Sequence, residues 1–272
     1  MIATNNYIER WKSTAKDVDQ YAFSKNKEVV IHLFTNEVES AKSWATSHLK
    51  RVTLKTHKIQ GWGWPEATLY RYKFISEYGN EIKEDFLMYL DSDMQIVKEF
   101  STELFKDMSN CELAFVQHPG FFRNIGSRKY FDYLRNPRLI GPHLRKLIAR
   151  SSTIGSWEVS RSSKAFTIPS SRKEYVHGAV WFGYKKAIMS MCAELNSRVD
   201  EDLKSGYIAI WHDESHLNWY ASNHDCKILD SRYSGVREYK HIRILEPSIF
   251  TVKKEIGEGR APTEPILSHE EK

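Results

Sequence analysis

The sequence predicts an α/β fold. Helical and strand patterns alternate along the chain, the strand segments are rich in β-branched and aromatic residues, and the most apolar of them stops abruptly on charge. Such alternation favours a Rossmann-like mixed sheet, mainly parallel, flanked by helices. Residues 7 to 23 space their apolar side chains as an amphipathic helix, and "EVVIHLFT" follows as a strand ending at Thr35. In "GWGWPEATLYRYKFISEYG" the turn residues Gly61, Gly63 and Pro65 lead into a helix that closes near Gly79. "FLMYL" is a short apolar run bounded by acids and reads as a buried strand that runs into Asp91 and Asp93. "ELAFVQHPG" is a second strand, stopped by His118 and a Pro-Gly turn. After "EYVHGAVWFGY" a helix is expected from about residue 185 to 203. "YIAIW" then reads as a strand that hands over to a helix inside "HDESHLNWY".

With 272 residues, 41% of them hydrophobic, the chain can bury a sizeable core. Its formal charge is +5, but basic and acidic residues are interleaved, which favours an acidic small ligand or an anionic surface over nucleic acid. Cys111, Cys192 and Cys226 are odd in number and far apart, so neither a disulfide framework nor a paired metal motif is expected, and a cytoplasmic setting is the simpler expectation. The first residues do not have the pattern of a secretory leader, and no apolar run approaches a membrane span, so any membrane contact would be peripheral. Eight Trp and fourteen Tyr suit faces that stack on sugars or bases.

Two clusters carry chemistry. Asp91 and Asp93, two residues apart at the end of a strand, would share a face, and their repulsion is relieved by a cation. Hard divalent ions are held beside diphosphates in this way, by one or two carboxylates plus phosphate oxygens. Asp17 and Asp19 have the same spacing in a helical segment, where such positions do not share a face, and read as surface charge. "WHDESH", Trp211 to His216, admits three explanations. Asp213 and Glu214 could simply cap a helix start and complement its dipole. His212 and His216 could hold zinc, although H-E-x-x-H needs its Glu directly after the first His and Asp213 stands there. The third is a carboxylate, Glu214, presented from a central strand end to the reacting carbon of a sugar.

The motifs "YLDSDM", "QHPGF", "FDYLRNP", "HGAVWFG" and "IWHDESHLNWY" resemble, in order and approximate spacing, glycosyltransferase family 6, the retaining α-1,3-galactosyl and N-acetylgalactosaminyl transferases that include the ABO blood-group enzymes. The resemblance implies a glycosyltransferase A fold and one catalytic domain over residues 1–272: a nucleotide-binding part (1–100), an acceptor and catalytic part (101–252) with a basic insertion at 138–172, and a tail (253–272) that closes as a lid. It implies that Asp91 and Asp93 bind Mn2+, or Mg2+, and through it the diphosphate of UDP-galactose or UDP-N-acetylgalactosamine, with Arg71 alongside. Ile2, Ala3, Thr4 and Tyr7 match a uridine-contacting segment that follows the family's first strand, of which almost nothing stands here. His177, Gly178 and Ala179 match the stretch that discriminates the two sugars, and the small Ala179 leans towards galactose.

Glu214 matches the catalytic carboxylate, which either attacks the anomeric carbon or stabilises its positive charge, and Asp213 reaches the donor sugar. Lys254 and Arg260 fall where the family's tail neutralises the diphosphate. His118, Asp132, Trp211 and His212 fall on the glycan acceptor's side; Asp132 replaces a threonine of the blood-group enzymes. The alternatives are hydrolysis of the UDP-sugar and a sugar-binding module without turnover.

Overall fold

The structure is a computed structural model describing residues 1–23, 27–63, 65–108, 110–121, 155–236 and 247–252. In chain order the elements are α1 (Tyr7–Tyr21), β1 (Val30–Thr35), α2 (Val38–His48), β2 (Thr53–Lys58), α3 (Glu66–Leu69), α4 (Arg71–Glu77), β3 (Phe86–Leu90), β4 (Met94–Ile96) and α5 (Ser101–Met108). They continue with β5 (Leu113–Gln117), β6 (Val176–Tyr184), α6 (Lys185–Lys204), α7 (His212–Asn223), β7 (Lys227–Leu229), β8 (Gly235–Val236) and β9 (Ile249–Thr251).

The α/β class and the mixed sheet are as expected, but parallel pairing does not dominate. β1 and β2 pair in parallel, and so do β5 with β7 and β8 with β9. The central strand β6 runs antiparallel to both neighbours, β3 and β5, and β4 is antiparallel to β9. Its side chains alternate between two cores. Trp181 and Phe182 are 1% and 0% exposed, the first packed with Tyr72, Phe115 and Leu217, the second with Trp11, Phe100 and Tyr233. A strand buried on both faces is written as a continuous apolar run, which is why "AVWF" lacks polar alternation.

Four expectations change. "YIAIW" is not a strand: residues 207–211 form loop and turn, and α7 starts at His212. The loop is fixed instead by Glu158, whose carboxylate accepts from the Tyr207 hydroxyl at 3.1 Å and the Ile210 N–H at 2.8 Å. Second, Asp17 and Asp19 are not surface charge. Asp17 accepts from the Ile96 N–H at 3.1 Å, and Asp19 from the N–H groups of Lys50, Arg51 and Val52 at 3.1, 2.6 and 2.9 Å, so they anchor β4 and the entry to β2. Third, the described part of the basic insertion, residues 155–172, is not a separate excursion but packs against the body of the chain. Trp157 is buried edge-on against Tyr175, and the Ser163 hydroxyl and Lys164 N–H both donate to Asp202 at 2.6 Å. Fourth, the helix after Pro65 is two pieces, α3 and α4, divided at Tyr70. The rest of the basic stretch, Asp132, and Lys254 and Arg260 with the tail lie outside the described residues.

Candidate active site

The site forms where α4, the end of β3, the first half of β6 and the start of α7 meet. Arg71 opens α4 and is 3% exposed, not the solvated helix arginine its position suggests. Its guanidinium donates to the Gly178 carbonyl at 2.8 Å and lies 3.1 Å from the Asp213 carboxylate and 3.4 Å from that of Asp91, with the Tyr89 ring 4.7 Å away. Burial works against the guanidinium's charge, but Asp213, Tyr89 and Asp91 more than compensate. One planar cation therefore joins three elements, a task for which the fork geometry of Arg is suited.

β3 stops at Leu90, so Asp91 and Asp93 sit in the turn towards β4 rather than on one face of a continuing strand. Asp91 remains in register through its N–H, which donates to the Ala179 carbonyl at 2.9 Å, while its carboxylate accepts from the Tyr89 hydroxyl at 2.8 Å. The Asp91 side chain is 28% exposed, whereas Asp93 is 4% exposed. The two carboxylates thus meet different environments, one at the cleft and one inside.

Glu214 stands in the first turn of α7, not on a strand end. Its carboxylate accepts from the Gly178 N–H at 2.8 Å, and the Tyr175 ring brings its hydroxyl close enough to interact electrostatically. Burial raises the Glu214 pKa to about 7, against the pull of the Gly178 N–H, Tyr175 and Arg71. Asp213, behind it, is likewise raised by burial and held back by Arg71. The helix start is locked: the Asn218 side chain accepts from the Val176 N–H at 2.7 Å and donates to the carbonyls of Val176 and Glu214, both at 2.9 Å. Tyr72 donates to the Asp213 carbonyl at 2.9 Å. His212, the first residue of α7, has φ +46°, a left-handed conformation that costs energy in a non-glycine residue and is retained at functional sites.

Gly178 is small for a specific reason. A Cβ there would meet the Asp213 carboxylate and the Glu214 Cβ at 3.3 Å and the Glu214 carboxylate at 3.4 Å. Its missing side chain therefore admits the acid. Gly178→Ala should push Glu214 off the β6 N–H and lower turnover by about tenfold while costing about 1 kcal/mol or less in stability. Turnover assays and urea melts check this; unchanged turnover would show that the close approach is immaterial.

His118, His177 and Glu214 form the other part of the site, each offering a ligand atom within 4.8 Å of the others. The imidazoles meet edge to face with centroids 4.6 Å apart. His118 Nδ1 accepts from the Gly120 N–H at 3.0 Å, and burial lowers its pKa to about 4, so the ring is neutral with its proton on Nε2. That tautomer makes Nε2 a donor and opposes metal ligation through it. His177 is bonded through Nδ1 to the Ser234 hydroxyl at 2.6 Å. His212 and His216 do not make a zinc pair: buried His216 faces Asp202 on α6 at 3.4 Å.

Of the other expected residues, Ile2, Ala3 and Thr4 run beside the end of β1. Ile2 bridges Phe34, and the Thr4 hydroxyl donates to the Trp62 carbonyl at 2.7 Å. Ala3 and Thr4 are buried, while Tyr7 on α1 and Ile2 are partly exposed. This is the carboxyl edge of the strand, where open α/β sheets take ligands. Trp211 is 36% exposed, its indole N–H donating to the Ser156 hydroxyl. Sequence reasoning missed Tyr72, Tyr89, Tyr175 and Ser234. Asn218 was within reach, since it stands one helical turn after Glu214.

Residues 147–257 match glycosyltransferase family 6. The chain is 23% identical over 240 residues to the rat (Rattus norvegicus) histo-blood group ABO system transferase 2, covering 86% of this chain and 61% of that protein. It is 24% identical over 221 residues to a chicken (Gallus gallus) globoside alpha-1,3-N-acetylgalactosaminyltransferase 1, covering 79% and 52%. The chain thus spans only about half to three fifths of the length of these relatives. Its similarity, in the matched segment and across most of its length, is to glycosyltransferase family 6 and the blood-group and globoside transferases.

Proposed function

We propose that this chain is a retaining glycosyltransferase that moves galactose or N-acetylgalactosamine from a UDP-sugar to a glycan hydroxyl, forming an α-1,3 bond with a divalent ion, Mn2+ or Mg2+, at the diphosphate. The observation that carries this is Glu214: a carboxylate raised to about 7, anchored by one N–H of β6 and adjoining the Arg71–Asp91–Asp213 network. The names of the similar proteins, blood-group and N-acetylgalactosaminyl transferases, support the choice of sugars.

Asp91 and Asp93 fit a hard divalent ion in donor chemistry, both being carboxylates, Asp91 at the cleft and Asp93 inside. Such an ion, when bound, supplies positive charge to the diphosphate. Arg71, 3.4 Å away, keeps Asp91 aimed. When the bond from the anomeric carbon to the diphosphate breaks, its electron pair leaves with UDP, and Glu214 compensates the positive charge left on the sugar, by attack or by electrostatics. The acceptor oxygen then bonds to that carbon on the face the diphosphate vacated, its hydroxyl proton passing to the departing diphosphate oxygen and any bond to Glu214 breaking as the new one forms. The Nε2–H of His118 orients an acceptor oxygen by donating to it. The Val252 N–H donates to the Asp93 carbonyl at 3.0 Å, so residue 252 stands beside the aspartates, which supports the reading that Lys254 and Arg260 serve the diphosphate.

The test is UDP release from a panel of UDP-sugars, with and without Mn2+ and glycan acceptors, for the chain and for Asp93→Asn. Release that needs the ion, rises with acceptor and falls about a hundredfold or more in the variant is expected. Release that ignores acceptors would indicate hydrolysis. Binding without release would indicate a sugar-binding module.

A further inference from the structure

Glu158 lies in the basic insertion, is 3% exposed, and has both carboxylate oxygens engaged by donors. One oxygen accepts from the Ser160 N–H at 2.7 Å and the Tyr207 hydroxyl at 3.1 Å, the other from the Ile210 N–H at 2.8 Å. Two of these donors stand on the loop 207–211, which leads from α6 into α7. Trp211 closes that loop. Its indole N–H donates to the hydroxyl of Ser156, two positions before Glu158, and its backbone N–H to the Ser215 hydroxyl at 3.0 Å. Its carbonyl accepts from the Glu214 N–H at 2.9 Å, while its ring stays 36% exposed. An indole open to solvent beside a reacting acid suits the apolar face of a sugar ring.

The acid has its own anchors. The Gly178 N–H and the Asn218 side chain tie Glu214 to β6, while Tyr72 and Arg71 of α4 hold Asp213. Two separate sets of hydrogen bonds therefore meet at the start of α7, one from β6 and α4 for the acid and one from the insertion for the indole. Arg71 and Asp91 mark α4 and β3 as the diphosphate's side, whereas Ser156 draws the indole towards the insertion, so the ring faces the acceptor rather than the donor.

We infer that Glu158 is a positioning residue for the acceptor: acting through the loop 207–211, it presents the Trp211 ring to the sugar that receives the hexose in the transfer reaction proposed above, on which this rests. It takes no part in cleavage of the donor. Only a carboxylate fits the position. Both oxygens accept from backbone N–H groups, so Glu158→Gln turns an amide NH2 against one of them and leaves a buried donor unpaired. The insertion keeps its second attachment, Ser163 and Lys164 on Asp202, so the variant should fold.

The test measures UDP release by the unaltered chain, Glu158→Gln and Ser156→Ala from UDP-galactose and UDP-N-acetylgalactosamine, without acceptor and over a concentration range of a panel of disaccharides, lactose among them. Glu158→Gln should raise the acceptor KM about tenfold and leave donor-only release within about twofold, a split that general loss of structure would not give. Ser156→Ala, which frees only the indole N–H, should raise the same KM about threefold. Hydrogen exchange in Glu158→Gln should quicken about tenfold at Ile210 and hold steady at Val176 and Gly178. An unchanged acceptor KM in both variants, donor-only release that falls in step with transfer, or exchange that quickens equally at Gly178 overturns the inference. No UDP release by the unaltered chain, or release that no disaccharide raises, removes the transfer reading itself and the inference with it, a failure visible before any variant is made.

Discussion

Glu214→Gln is expected to lower UDP release by about a thousandfold while leaving donor affinity within a few-fold. Gln keeps the shape and still accepts the Gly178 N–H that holds Glu214 at 2.8 Å, so the change removes charge and nucleophilicity with little disturbance of the fold. The pH profile supplies a second readout. Burial holds the carboxyl at about 7, and the ionised form is the one that serves a positive anomeric carbon. Turnover should therefore rise about tenfold per pH unit below 7 and level off above it. Stability should move the other way: between the ordinary glutamate value and 7 the folded state holds a proton that the unfolded chain has released, so the fold loses stability as pH rises through that window. Glu214→Gln should flatten that slope. A variant with unchanged turnover, or a wild-type profile with no limb near 7, would remove Glu214 from the chemistry.

Arg71→Met should be the most destabilising single change in the site, by about 3–5 kcal/mol in urea unfolding, because it strands two carboxylates that share one counter-charge. Asp213 is inside and Asp91 at the cleft, at 3.1 and 3.4 Å from the guanidinium, so the loss falls mainly on Asp213. The double variant Arg71→Met with Asp213→Asn should recover part of the loss, a coupling that simple loss of packing would not produce. Arg71→Lys should hold the charge yet miss one of the three partners, restoring stability better than turnover. If the single and double variants are equally unstable, Arg71 acts through its bulk and not its charge.

The elements whose apolar pattern has one period were legible in the sequence: α1, β1, β3, β5 and α6 stand within a few residues of where the pattern puts them. "YIAIW" failed because its backbone is held by Glu158, a carboxylate about fifty residues away in sequence that replaces ladder partners, while Ile210 stays exposed. Antiparallel β6 was not legible, since a strand buried on both faces has no polar alternation to set direction or register. At the site, Asp91, Asp213 and Glu214 could be named from local spacing. That Arg71 lies beneath them required a contact across more than a hundred positions, to Gly178. Asp17 and Asp19 show the converse: on a helix their spacing has no local meaning, and distant backbone N–H groups give them their role.

Asn218 grips both backbone groups of Val176 and the carbonyl of Glu214, tying the start of α7 to the strand that carries residues 177–179. Residues 177–179 and Glu214 accordingly stand on one rigid unit, with no joint between them. On the proposed function, reshaping residues 177–179 to accept another hexose would shift the acid in the same stroke, so swapping donor preference in the laboratory should demand paired changes on strand and helix.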